Sequence, residues 1–96
     1  MDHLTHLEEL YLSHNSISEI KGLDSLNKLW VLDLSYNQLS KIQRLDSLMN
    51  LETLNLRENY IKDIKGLKDL KRLEILDLYE SSIEDMAGLE SLISLN

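Results

Sequence analysis

The chain has 96 residues, enough for one domain, and 43% of them are hydrophobic, enough to build a core. It contains no cysteine, which excludes a disulfide framework and a thiolate metal site and fits a reducing compartment. The formal net charge of −7 argues against nucleic acid as a direct partner, and no apolar run reaches membrane-spanning length.

In chain order, the N-terminal stretch "MDHLTHLEEL" is too polar and acidic for a signal peptide, and its first six residues (1–6), "MDHLTH", precede the repeats. Met1 and Leu4 keep the spacing of the apolar residues that follow, so this segment is expected to be the tail of a partial coil. His3 and His6 lie three apart with no third ligand at a sensible spacing, so they do not make a metal site. At Leu7 the stretch "LEELYLSHNSISEI" opens a pattern that returns as "LWVLDLSYNQLSKI", "LETLNLRENYIKDI" and "LEILDLYESSIEDM". Aligned at Leu7, Leu29, Leu51 and Leu73, the copies repeat every 22 residues without insertion or deletion. The domain therefore divides into repeats 7–28, 29–50, 51–72 and 73–94, with residues 95–96 beginning a further coil.

Seven positions of the repeat (1, 4, 6, 11, 14, 17 and 20) are apolar in every copy, from Leu7, Leu10, Leu12, Ile17, Ile20, Leu23 and Leu26 onward. Positions 4 and 6 alternate with polar neighbours as in a strand with one buried face, which predicts strands near residues 9–13, 31–35, 53–57 and 75–79. Position 9 is Asn15, Asn37, Asn59 and then Ser81. An amide that both donates and accepts can pair the main chain of a tight buried bend, so these asparagines are expected to be buried and bonded to backbone. A serine hydroxyl reaches less far. Leucines then step by three in "GLDSLNKL" and "GLKDLKRL", which suits short 3₁₀ turns rather than a long outer helix. Arg44 stands where the other copies have Gly22, Gly66 and Gly88; if that position needs positive φ, Arg44 carries strain there. An amphipathic helical bundle also spaces leucines three and four apart, but it does not explain the Leu-x-Leu step, the asparagines or the constant period.

The pattern L-x-x-L-x-L-x-x-N-x-I/L-x-x-I-x-G-L-x-x-L resembles a leucine-rich repeat. Its period is similar to that of the class typified by a nuclear regulatory subunit of the type-one protein phosphatase, with spliceosomal, axonemal and centrosomal relatives. Bacterial internalin-type repeats share the 22-residue period but often carry proline in the convex turn, and proline is absent here. The resemblance implies an α/β-type right-handed solenoid with a parallel sheet on the concave face and 3₁₀ turns on the convex face. It also implies a non-enzymatic scaffold, located in the cytoplasm or nucleus or at a centrosome or cilium. One partner it implies is the type-one phosphatase catalytic subunit.

No catalytic motif or cofactor signature stands out. Asp33 and Asp77 share a repeat position two coils apart, so they should lie ~10 Å apart, too far to share a proton. The positions facing out of the sheet (3, 5 and 7) and flanking it (2 and 8) hold eight acids and one base, Arg57, which together account for the whole net charge. Trp30, Tyr11, Tyr36 and Tyr79 fall on the same positions. Aromatic anchors among acids point to a protein partner with a basic surface, and Tyr11, Trp30, Asp33, Tyr36, Arg57, Asp77 and Tyr79 are the expected contact residues. An architectural segment of a larger ciliary, centrosomal or bacterial surface protein is the alternative. Uncovered leucines at either end of the array, such as Leu4 and Leu92, predict self-association.

Overall fold

Alternation at Leu10 and Leu12 puts every second side chain on one side of an extended segment, and the 22-residue period sets each such segment beside the next. A computed structural model describes residues 6–67 and 70–81 of the chain and shows this arrangement. Four strands, β1 (Glu9–Tyr11), β2 (Val31–Asp33), β3 (Thr53–Asn55) and β4 (Ile75–Asp77), form one sheet in sequence order. All neighbours are parallel and shifted by one repeat, so Leu10, Leu32, Leu54 and Leu76 pair in a single column. The return path contains no α-helix among the described residues.

The strands are shorter than the expected five-residue spans, and a left-handed residue follows each of them. His14, Tyr36, Glu58 and Glu80, all at position 8, have φ between 56° and 59°. Just before this reversal the ladder still holds: the N–H groups of His14, Tyr36 and Glu58 donate to Ser35, Arg57 and Tyr79 carbonyls one coil on. The left-handed residue then turns the chain and delivers position 9 inward. Each such residue costs on the order of 1–3 kcal/mol, which the surrounding bonds must offset.

Those bonds come from the asparagines. Asn37 Nδ2 donates to Leu34 and Ser35 in its own coil and to Leu12 in the coil before, while its Oδ1 accepts from Ile17 N–H. Asn59 repeats the set with Leu56, Arg57, Leu34 and Leu39. Both are buried. Asn15 departs from the expectation: it is exposed and bonds only Leu12 and Ser13 of its own coil. Ser81 departs in the other direction. It is buried, and its shorter side chain still reaches the neighbouring coil, the hydroxyl donating to Leu56 O at 2.6 Å.

On the turn side the three-residue leucine spacing becomes consecutive i to i+3 bonds. Leu26 N–H donates to Leu23 O and Leu29 N–H to Leu26 O, with the same pair at Leu45–Leu48–Leu51 and a longer run through Ile64, Leu67, Leu70 and Leu73. Among the described residues, only Lys65–Leu67 is regular enough to be a 3₁₀ helix. The glycine position takes two forms among the described coils. Gly22 (φ 79°) and Arg44 (φ 61°) are left-handed, so Arg44 does carry the expected strain. Gly66 lies within that helix instead, and a Cβ there would collide with the Ile42 carbonyl.

The apolar repeat positions from Ile20 to Leu73 form one buried cluster, and Leu7, Leu10, Leu12, Ile17, Leu76 and Leu78 pack on it half-buried. Among the described residues no other apolar side chain enters it, so the outward positions are free to carry function. Met1, Leu4, Gly88, Leu89 and Leu92, with the remainder of repeat 73–94 beyond Ser81, lie outside the described residues.

Candidate protein-interaction face

Positions 3, 5 and 7 of each coil point away from the core, because positions 4 and 6 point into it. Tyr11, Trp30, Tyr36, Ile75 and Tyr79 are large apolar residues left 37–61% exposed on this face or its margins; among the described residues only Met49 and Tyr60 match them elsewhere. Exposed aromatic area is therefore concentrated on the sheet side.

Position 5 proves to have a structural duty. Asp33 Oδ1 accepts Ser35 N–H and the Ser35 hydroxyl, Asn55 Oδ1 accepts Arg57 N–H, and Asp77 Oδ1 accepts Tyr79 N–H. A side-chain oxygen two residues ahead of the backbone donor ends the strand in an Asx-type turn. Asp33 and Asp77 are therefore not the unconstrained surface charges the repeat pattern implied. Tyr11 occupies the same position in the first coil and uses its phenol to donate to Glu9 Oε1 at 2.9 Å. That bond raises the Tyr11 pKa above its ordinary value, with desolvation and the negative charges of Glu9 and Asp33 adding to it.

The expected contact residues separate into four groups, the first being Tyr11 and Asp33, register partners on adjacent strands. At the far margin Tyr36 stacks on His14, with centroids 4.3 Å apart and planes 10° from parallel. In the last two described coils Arg57 lies over the Tyr79 ring, 4.7 Å from its centroid, and its Nε sits 3.5 Å from Asp77 Oδ2. That Nε is buried and makes no hydrogen bond, so the contact is ionic rather than a well-formed bond. Asp77 is thereby neutralised from within the protein.

Trp30 lies elsewhere. It shares a shallow groove of about 400 Å³ with Glu8, Glu52, Lys28, Asn50 and Arg72. Positions 2 and 8 stand at opposite ends of each strand, six residues and so roughly 20 Å apart. Trp30 and Tyr36 therefore belong to different margins. The groove also shows what the repeat lanes miss: position 22 closes against position 2 of the coils, bringing Lys28 and Arg72 next to the acids. Arg72 Nη1 donates to Asn50 Oδ1 at 2.8 Å, and Asn50 Nδ2 donates to Asn27 O, a second line of cross-coil bonds.

No group of histidines and carboxylates among the described residues could hold a metal ion. The family model for leucine-rich repeats matches twice, over residues 5–47 and 49–94. The chain belongs to the leucine-rich repeat family. Arrays of this family generally mediate protein–protein interaction and are typically non-enzymatic. Among solved structures, internalin C2 of Listeria monocytogenes is similar over 98% of this chain and 42% of its own, with 34% identity and a TM-score of 0.91. A second internalin of that organism, inlF, gives 30% identity over 98% of this chain and 28% of its own (TM-score 0.89). A leucine-rich repeat protein of Leptospira interrogans gives 28% identity over 99% and 25% (TM-score 0.89). This leucine-rich repeat chain thus spans less than half the length of each. No curated protein matches it significantly.

Proposed function

We propose that this leucine-rich repeat chain is an interaction module whose sheet face binds a protein partner with a basic surface. The observation that carries the proposal is the concentration of exposed aromatic side chains on that face, interleaved with carboxylates. Aromatic anchors supply most of the energy in protein interfaces, and complementary charge steers the encounter. Tyr11, Tyr36 and Tyr79 are the anchors on the strand and its C-terminal margin, with Trp30 as a separate contact on the opposite margin. The type-one protein phosphatase catalytic subunit is one candidate partner, drawn from the resemblance of the repeat alone.

The test is affinity capture with the wild-type chain and with Trp30→Ala, Tyr36→Ala and Tyr79→Ala variants, followed by titration of the captured partner. An anchor variant should weaken binding by about 2 kcal/mol or more, while Lys41→Glu on the turn side leaves it unchanged. Purified phosphatase catalytic subunit, titrated in the same way, decides that candidate separately. Binding that survives every sheet-face variant and is lost with Lys41→Glu would overturn the proposal.

The second reading, an architectural segment of a larger ciliary, centrosomal or bacterial surface protein, is favoured by one observation: the three similar structures named above are each more than twice as long as the chain. That reading predicts no partner that depends on the sheet-face aromatics of these coils.

A further inference from the structure

Arg57 shows how this sheet face holds a guanidinium. The cation lies over a tyrosine ring and against the outer oxygen of the position-5 carboxylate, whose inner oxygen is occupied by a backbone N–H. Asp33 is built in the same way two coils earlier. Its Oδ1 is held by Ser35 N–H and hydroxyl, and its Oδ2 has no bond or ion pair among the described residues. The difference lies at position 7. The third coil has Arg57 there, and the first has Ser13, which is too short to reach a neighbouring carboxylate; the place of the Tyr79 ring is taken by Ser35, so any ring at Asp33 must come from position 5 of the first coil, Tyr11. Tyr11 is the register partner of Asp33 on the adjacent strand, whose backbone runs roughly 4.8 Å away, and its exposed side chain leaves the sheet on the same face. Glu9 is held beside it by the Tyr11 phenol.

We infer that Tyr11, Asp33 and Glu9 form a seat for a guanidinium group supplied by an arginine of the partner, against the carboxylate that is the counterpart of the one Arg57 meets at Asp77, with the ring supplied by Tyr11 of the preceding coil rather than by position 7. The inference rests on the proposed sheet-face function and names the side chain that face takes. A ring and a carboxylate together favour guanidinium over ammonium, because the planar cation can stack on the one while donating to the other. Lys28 and Arg72 are at the opposite margin and do not compete for Asp33.

The experiment is a heteronuclear NMR titration of the whole chain with a blocked Gly-Arg-Gly peptide, alongside Gly-Lys-Gly and Gly-citrulline-Gly. The arginine peptide should shift the amides of Tyr11, Asp33 and Ser35 most, and the citrulline peptide should leave them in place. Asp33→Asn keeps the Oδ1 acceptor of the turn and removes the charge; it should weaken binding about threefold, the scale of an exposed ion pair. Ser13→Arg should do the same by filling the seat from within. Arg57→Ser should open a second site, seen as new shifts at Asp77 and Tyr79. Equal shifts from the lysine peptide, shifts spread evenly over all acidic residues, or unchanged affinity in Ser13→Arg would overturn the inference. Those results would leave the broader proposal standing wherever capture still depends on Tyr36 and Tyr79.

Discussion

At the scale of single residues, one repeat position can be held for opposite reasons. Arg44 keeps a left-handed backbone at a cost of roughly 1–2 kcal/mol, and Gly22 adopts the same conformation without that cost. Arg44→Gly should therefore raise stability by about 1 kcal/mol, read as a higher urea midpoint at constant slope. Gly66→Ala should lower it by about 1–3 kcal/mol, because its Cβ meets the rigid Ile42 carbonyl. The asparagines make a second contrast. Asn37→Ala strands buried main-chain groups in two coils and should cost about 1–3 kcal/mol, whereas exposed Asn15→Ala should cost less than about 1. Asparagine was legible in the sequence because few side chains can both donate and accept at a bend. The left-handed residue before it was not, since His14, Tyr36, Glu58 and Glu80 share no property that marks that conformation.

At the scale of the coil, the apolar positions located the core and the sheet, because a period of 22 leaves little choice of which leucine pairs with which. The candidate site was less legible. Repeat lanes give sequence order around a coil, not which lanes touch when the coil closes. Hence Trp30 was grouped with Tyr36, and Lys28 and Arg72 were not recognised as neighbours of Glu8 and Glu52. Asp77 looked like a free charge because its partner, Arg57, comes from another coil. Ser81 offers a test at this scale. It supplies the bond to Leu56 O but has no counterpart, among the described residues, to the Oδ1 that accepts Ile17 or Leu39 N–H. Ser81→Asn should complete that set toward Ile61 N–H and raise the melting temperature, by the few degrees that about 1 kcal/mol moves a domain of this size.

For the whole molecule, stability is a sum over coils and the contacts between neighbours. The second and third coils have fully buried leucines and both cross-coil asparagine sets, while Leu7, Leu10 and Leu12 in the first coil remain half-buried. Native-state hydrogen exchange should therefore find the amides of Leu34, Leu39 and Leu56 slowest and those of Leu12 and His14 faster. Uniform protection along the sheet would mean that the coils open only together. The charge distribution acts at the same scale. With a net charge of −7, capture of a basic partner should slow as salt is raised, and Glu8→Lys with Glu74→Lys, which leave the position-5 turns intact, should flatten that dependence.

The asparagine bonds also have a direction. Asn37 reaches back to Leu12 and Ile17, and Asn59 back to Leu34 and Leu39; each ties its own coil to the one before it in sequence. A ribosome delivers the chain in that same order. Every new coil thus emerges carrying the side chain that latches it to backbone already made, and it does so at its ninth residue, before its own turn is complete. The array can extend its folded front one latch at a time behind synthesis, with no contact waiting on a distant part of the chain.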